Sequence, residues 1–290
     1  MTESSTAAVP DAARVGRVAL RVENLDRQVS FYESVVGLAV LERRDDRAVL
    51  GAGGDPLVVL TAAPDAPERG RDETGLFHAA FLFPSRGALA DALGRVEAEW
   101  KLTGASDHRV SEALYLRDPE GNGVELYRDR PRREWPETDD GRVEMDTLPL
   151  DLDSLRTDAA GESAAPPGTT VGHVHLEVSS MDASRAFYAD ALGLRVRQAF
   201  GPSALFLAAD GYHHHVGLNT WNGRTAPATG RGLDWFEFVL PDGDAVAAAR
   251  NRFEAADVAA VRERGDAVAV DDPDGITLLL RAATDDERGR

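Results

Sequence analysis

The sequence predicts an α+β protein built from four βαβββ modules that close in pairs into two barrel-like units, and three observations carry that expectation. The first is a long internal repeat: VALRVENLDRQVSFYESVVGLAV at 18–40 returns as VHLEVSSMDASRAFYADALGLRV at 174–196. The second is a later repeat in the same order. GLFHAAFLFP at 75–84 returns as GLDWFEFVLP at 232–241, and RDPEGNGVEL at 117–126 returns as DDPDGITLLL at 271–280. The third is periodicity, because each unit opens on an alternating apolar run, passes through a helical pattern and ends in two or three further strands. A lone module of this kind has an apolar sheet face it cannot cover, so modules must pair.

Module one begins with an alternating strand over 15–22. Asp26 is placed to cap a helix through Val36, with Val29, Tyr32 and Val36 on its apolar face and Gly37 ending it. Strands are expected at 38–43, 47–51 and 56–62. Module two repeats the order, with a strand over 76–83, a helix over 86–99 and strands near 108–117 and 122–128. The domain plan is a disordered leader at 1–14, modules one and two at 15–130, and a connector at 131–170. Modules three and four follow at 171–283, and a frayed tail at 284–290. The connector is polar, acidic and Pro-containing, with a short helix expected near Leu150 to Leu155.

Composition removes several functions. The 290 residues carry a formal charge of −18 with a pI near 4.8, which disfavours nucleic acid and anionic membranes as partners. No apolar run is long enough for a transmembrane helix, and the N-terminus lacks the basic and apolar regions of a signal peptide. A cytoplasmic protein is therefore expected, with a homo-oligomer left open. There is no cysteine, so disulfides, zinc-thiolate sites and thiol nucleophiles are all absent. Lys101 is the only lysine, and the excess of acid over base resembles proteins of halophiles.

The repeat is broken where it matters chemically. His173 opens module three, but its counterpart in module one is Arg17. His78 opens module two and Glu125 closes it, whereas module four has Trp235 and Leu279 there. Three nitrogen and oxygen ligands thus survive for one metal, and their counterparts cannot bind it. Two neutral imidazoles and one carboxylate on one face of an octahedral ion leave adjacent positions open, a set suited to Fe(II), with Mn(II) as a substitute. His175, two residues along the same strand face, is the runner-up ligand, but its counterpart Ala19 marks an interior position.

The module order, FYESVVGL with FYADALGL, and DPEGNGVEL together resemble the vicinal oxygen chelate superfamily, and within it the extradiol dioxygenases of the catechol 2,3-dioxygenase type. The resemblance runs from 15 to 281. It implies an Fe(II) enzyme that opens a small aromatic diol with O2, with His78, Glu125 and His173 in the ligand slots. It also implies a general base in GYHHHVGLN, where His215 aligns best, His213 shares its face and His214 points away. Tyr115 falls where the family places a phenol against a substrate oxygen, and His108 falls near a second family histidine. The usual module pairing is not followed: His78 and Glu125 precede the connector and His173 follows it, so modules two and three must meet, and one and four. A hydroquinone-cleaving relative is one alternative. A glyoxalase-like isomerase is another, although that class wants a fourth protein ligand where Leu279 stands. A protein that merely sequesters an aromatic drug would need no such ligand set.

Overall fold

The computed structural model describes residues 8–139, 141–258 and 261–288, so half of the expected leader and the end of the expected tail lie outside the described residues. Module one consists of β1 (Arg14–Val22), α1 (Leu25–Phe31), β2 (Ala39–Arg43), β3 (Arg47–Ala52) and β4 (Asp55–Ala62). Module two consists of β5 (Gly75–Leu82), α2 (Arg86–Glu99), β6 (Gly104–Asp107), β7 (Ser111–Arg117) and β8 (Gly123–Asp129). The connector adds β9 (Leu148–Pro149) and α3 (Leu152–Arg156). Module three has β10 (Thr170–Glu177), α4 (Met181–Arg185), β11 (Arg195–Phe200), β12 (Ala204–Ala208) and β13 (Val216–Asn219). Module four has β14 (Gly232–Leu240), α5 (Gly243–Ala255), β15 (Val261–Arg264), β16 (Ala267–Asp271) and β17 (Thr277–Ala282), and α6 (Asp285–Arg288) closes the described chain.

Two curled sheets result. The order β15-β16-β17-β14-β1-β4-β3-β2 joins modules four and one, and β11-β12-β13-β10-β5-β8-β7-β6-β9 joins modules three and two. The seams are β1 against β14 and β10 against β5, both antiparallel. This is the pairing that the placement of the expected ligands demands. Strand alternation then sorts the side chains. Val18, Leu20, Val22, Val174, Leu176 and Val178 enter one continuous core shared with the helices. The intervening residues, Ala19 in β1 and His173 and His175 in β10, fall outside that core. Ala19 instead joins an apolar cluster of its own with Trp235 and Leu279.

Local details correct several expectations. Asn24, not Asp26, caps α1: its side-chain oxygen accepts the Arg27 N–H at 2.9 Å, and Asp26 sits in the first turn. The helix continues as a π-helical turn over Tyr32–Val36 and stops at Gly37, whose φ of 88° only glycine adopts freely. Module three repeats the device at Ala186–Ala191. Leader residues 8–13 are not loose, since Val9 is buried and donates its N–H to the Gly193 carbonyl at 3.2 Å. The tail forms α6, with Glu287 paired to Arg281 at 2.7 Å and to Arg14 at 2.9 Å. No helix among the described residues is long and apolar enough to cross a membrane.

Candidate active site

Each seam carries a bulge at a Val-Gly step, and the bulge aims the next side chain. The register of β10 against β5 slips between Val171 and His173, and that of β1 slips between Val15 and Val18. Gly172 is obligatory there, because a Cβ would lie 1.8 Å from the Tyr127 hydroxyl. His173 then faces β5 and β8, which are parallel neighbours with Ala80 opposite Glu125. His78, Glu125 and His173 come together, their donor atoms all within 4.8 Å of one another.

These residues fit a metal ion. The Nε2 atoms of His78 and His173 both approach Glu125 Oε2, at 2.9 and 3.1 Å. Two ligands held about 2.1 Å from one ion at right angles lie about 3 Å apart, so the spacing is that of a facial set. All three are buried, His78 Nε2 meets Glu125 only at an angle outside hydrogen-bond geometry, and the neighbouring His175 Nε2 is sealed from water with no partner. A buried nitrogen without a partner is costly, and an ion would remove that cost. Burial alone would raise the Glu125 carboxyl, but His173 and His78 outweigh it and hold the group well below the ordinary range. Burial pushes His173 down to about 4, against the pull of Glu125, so its ring is neutral near pH 7. Neutral imidazole and ionised carboxylate are the forms that ligate.

Above the triad opens a cavity of about 480 Å³. Its walls include Phe77, Phe206, Tyr115, His108, His175 and His214, with Phe200 and Trp221 half-exposed among its lining. Tyr115 donates its hydroxyl to His108 Nε2 at 2.6 Å, and His108 Nδ1–H donates to the Asp146 carbonyl at 2.6 Å. A carbonyl can only accept, so this sets the His108 tautomer. Burial, aided by the charge of Glu125, raises the Tyr115 phenol well above its ordinary value, keeping it a donor.

The triple histidine is arranged differently from the expectation. Alternation assigned His213 and His215 to one face, but β13 begins only at Val216, so 211–215 is loop and alternation does not apply. His214 lines the cavity with its ring 4.1 Å from that of His173. His215 does not line it. Its ring stacks on Tyr212 at 5.0 Å, its Nδ1 accepts the Ala209 N–H at 3.2 Å, and Phe238 abuts it. One other feature was not anticipated. Met145, Asp146 and Thr147 of the connector form part of the cavity wall. Gln198 straps that segment down, accepting the Met145 N–H and donating to the Met145 carbonyl, both at 3.0 Å. His175 also reaches the cavity, 5.0 Å from His78 ring to ring, with a buried Nε2 that has no partner.

Three residues that could hold a metal at the base of an aromatic cavity, in paired βαβββ modules, point to a class of metal-dependent enzyme. The chain matches the model of the Glyoxalase/Bleomycin resistance protein/Dioxygenase superfamily over residues 14–126 and 170–280, and it belongs to that superfamily. A catechol-2,3-dioxygenase of Bacillus subtilis (strain 168) is 40% identical over 275 residues, covering 91% of this chain and 95% of that protein. Biphenyl-2,3-diol 1,2-dioxygenase 3 of Rhodococcus globerulus is 30% identical over 120 residues, 40% of this chain and 63% of that protein. The fold is shared more widely: glyoxalase I of Zea mays superposes with a TM-score of 0.57 at 17% identity, over 93% of this chain and 92% of that one. Within the superfamily the chain is a metal-dependent dioxygenase, an oxidoreductase.

Proposed function

We propose that the protein is an Fe(II) extradiol dioxygenase that opens a catechol-like ring beside its two hydroxyls. The observation that carries this reading is the convergence of His78, Glu125 and His173 beneath a cavity with a further imidazole, His214, on its wall. When bound to the triad, Fe(II), or Mn(II) in its place, supplies a Lewis acid for the diol oxygens and an electron path between ring and O2. The chain's own residues do the rest. His214 takes the proton of a diol hydroxyl, the role that alignment with the family assigned to His215. Burial holds the His214 ring well below the ordinary imidazole range, so it is a neutral acceptor at pH 7. Tyr115 and His108, joined by their hydrogen bond, place a phenol against an oxygen of the substrate. Phe77, Phe206 and Trp221 offer ring faces and edges to a flat aromatic guest and exclude water.

Substrate size and charge follow from the walls. A bare catechol leaves much of the 480 Å³ vacant, and no lysine or arginine lines the cavity among the described residues. Uncharged catechols with an apolar substituent should therefore outcompete carboxylated ones. The test is anaerobic loading with Fe(II), followed by O2 uptake and ring-opened product across catechol, alkylcatechols, carboxylated catechols and hydroquinone. Turnover of hydroquinone in place of catechol would move the protein to a para-diol reaction, and turnover without O2 would remove it from the dioxygenases.

A further inference from the structure

We propose that Asp129 and His213 are positioning residues that lock the proton of His214 on Nδ1, leaving its Nε2 lone pair open to the cavity. This deepens the reading of His214 as the base and rests on it for its catalytic meaning. The geometry is a chain of three groups. His213 Nε2 lies 3.0 Å from the Asp129 carboxylate, and His213 Nδ1 lies 2.7 Å from His214 Nδ1. His213 is 1% exposed and packed between Tyr212 and Trp135, their rings 4.0 and 5.4 Å away, so water does not offer it another partner.

Polarity runs in one direction along this chain. A carboxylate only accepts, so His213 Nε2 carries the proton, and a neutral imidazole then has a lone pair at Nδ1. Two lone pairs cannot face each other at hydrogen-bond distance, so His214 Nδ1 must donate. Its remaining nitrogen, Nε2, is the acceptor and stays available to a guest in the cavity that the ring lines. When a diol O–H breaks and its proton forms the new Nε2–H bond, the substrate is left as an oxyanion and no electron changes hands. The imidazolium keeps its Nδ1–H bonded to His213, whose own N–H points at the Asp129 carboxylate. The arriving positive charge is thus met by a negative one without either ring moving.

The arrangement comes from chain segments that sequence proximity does not unite. Asp129 ends β8, four residues after the ligand Glu125, while His213 and His214 precede β13 in the partner module. One strand therefore delivers both a metal ligand and the anchor of the base.

Long-range proton–nitrogen NMR of the metal-free full chain reads the tautomer directly. His214 should carry its proton on Nδ1, and Asp129→Ala should abolish that preference while His213→Asn, whose amide oxygen replaces Nδ1 as acceptor, should keep it. A wild-type His214 protonated on Nε2 would overturn the proposal, whatever the enzyme's substrate. In the Fe(II) enzyme, His213→Leu should lower kcat roughly 10²-fold with KM and iron content unchanged, and His213→Asn should recover most of that loss. Equal losses in the two variants, or loss of iron in both, would give His213 a purely structural role. Separately, an unchanged kcat in His214→Ala would defeat the base reading while leaving the tautomer measurement to stand or fall alone.

Discussion

The two cups of this molecule share one backbone plan and differ in what fills them. Between modules two and three, the layer that faces inward holds His78, Tyr115, Glu125 and His175, with His173 below. Between modules one and four, the same repeat positions hold Trp235, Ala269, Leu279 and Ala19, which join Val49 and Val59 in a closed apolar cluster. Arg17 occupies the place of His173, and it is neutralised by Glu237, the counterpart of Ala80. Their contacts are 3.0 Å from Arg17 Nε and 2.5 Å from its Nη2, and Arg281 adds a further contact at 3.3 Å. The guanidiniums of Arg17 and Arg264 each lie 5.7 Å from the Trp235 ring. One cup is therefore plugged and satisfied. The other carries buried ring nitrogens without partners on His173 and His175, and a His78 Nε2 that meets Glu125 outside hydrogen-bond geometry. A duplicated scaffold needs one well-packed copy for stability, and that frees the second to carry the unmet polar groups that chemistry requires.

The comparison breaks most sharply at Glu125. Replacing it with leucine, the residue of the plugged cup, should remove the metal and with it all turnover, measured by metal analysis and O2 uptake. The reciprocal Leu279→Glu should not create a second site, because Trp235 and Arg17 still occupy the other two ligand positions. Stoichiometric metal in Glu125→Leu, or two ions per chain in Leu279→Glu, would break the assignment of the working cup.

The next effect separates two adjacent histidines. His214→Ala should keep the metal and lower kcat by roughly 10²–10⁴, the usual worth of a placed acid–base group. His215→Ala should cost about 1–3 kcal/mol of stability, since its ring packs between Tyr212 and Phe238, while leaving kcat nearly unchanged. The reverse outcome would return the base to His215.

What was legible in the sequence followed from the repeat. Counterparts such as Arg17 for His173 and Leu279 for Glu125 revealed which modules share a cup, because only one pairing brings all three candidate ligands together. The triple histidine was not legible. Its orientation depends on where a loop becomes a strand, and the onset at Val216 is set by pairing with Val174 rather than by local propensity. The connector was read as a polar link with one short helix, which is present as α3, yet its Trp135, Val143 and Met145 also pack on Phe206 and Tyr212. Apolar residues scattered singly through an acidic segment have no period, so nothing local signals that they are anchors. Likewise Asn24 competes with Asp26 as a cap, and both residue types cap equally well.

A third effect concerns a feature common to both cups, the Asp-Pro turn before each closing strand. Burial raises Asp118 to about 6 and Asp272 to about 7, from an ordinary 3.8. The folded protein therefore keeps protons that the unfolded chain has released. Their stabilising contribution is complete below about pH 4 and is lost as pH rises through about 6 and about 7. Asn at either position keeps an oxygen for the backbone donors, Glu120 and Asn122 in one turn and Asp274 and Ile276 in the other. Urea unfolding at pH 4, 6 and 8 should show the decline flattened in each variant. The change should reach at most about 3 kcal/mol for Asp118→Asn and about 4 kcal/mol for Asp272→Asn, because a tenfold difference in proton affinity is worth about 1.4 kcal/mol. An unchanged slope in the double variant would remove these turns from the pH response.

The smallest effect tests whether the cups differ in space as well as in chemistry. Gly217 lies opposite His175 across the β10–β13 pair, where the plugged cup sets Val59 opposite Ala19. A Cβ at 217 would stand 2.9 Å from the His175 ring, so glycine is the residue that makes room for an imidazole in this layer. Gly217→Val should crowd that ring toward His78, raise KM for substrate and cost about 1–3 kcal/mol of stability through overpacking. Gly217→Val with His175→Ala, which copies the Ala19–Val59 pair, should regain that stability because the clash is gone. Val59→Gly in the other cup opens a void instead, with a similar loss of stability and no change in KM. Stability is read from urea midpoints at constant slope, and KM from initial rates. If Gly217→Val is as stable as the parent and the double variant gains nothing, His175 is not confined by this strand, and the spatial difference between the cups must arise elsewhere.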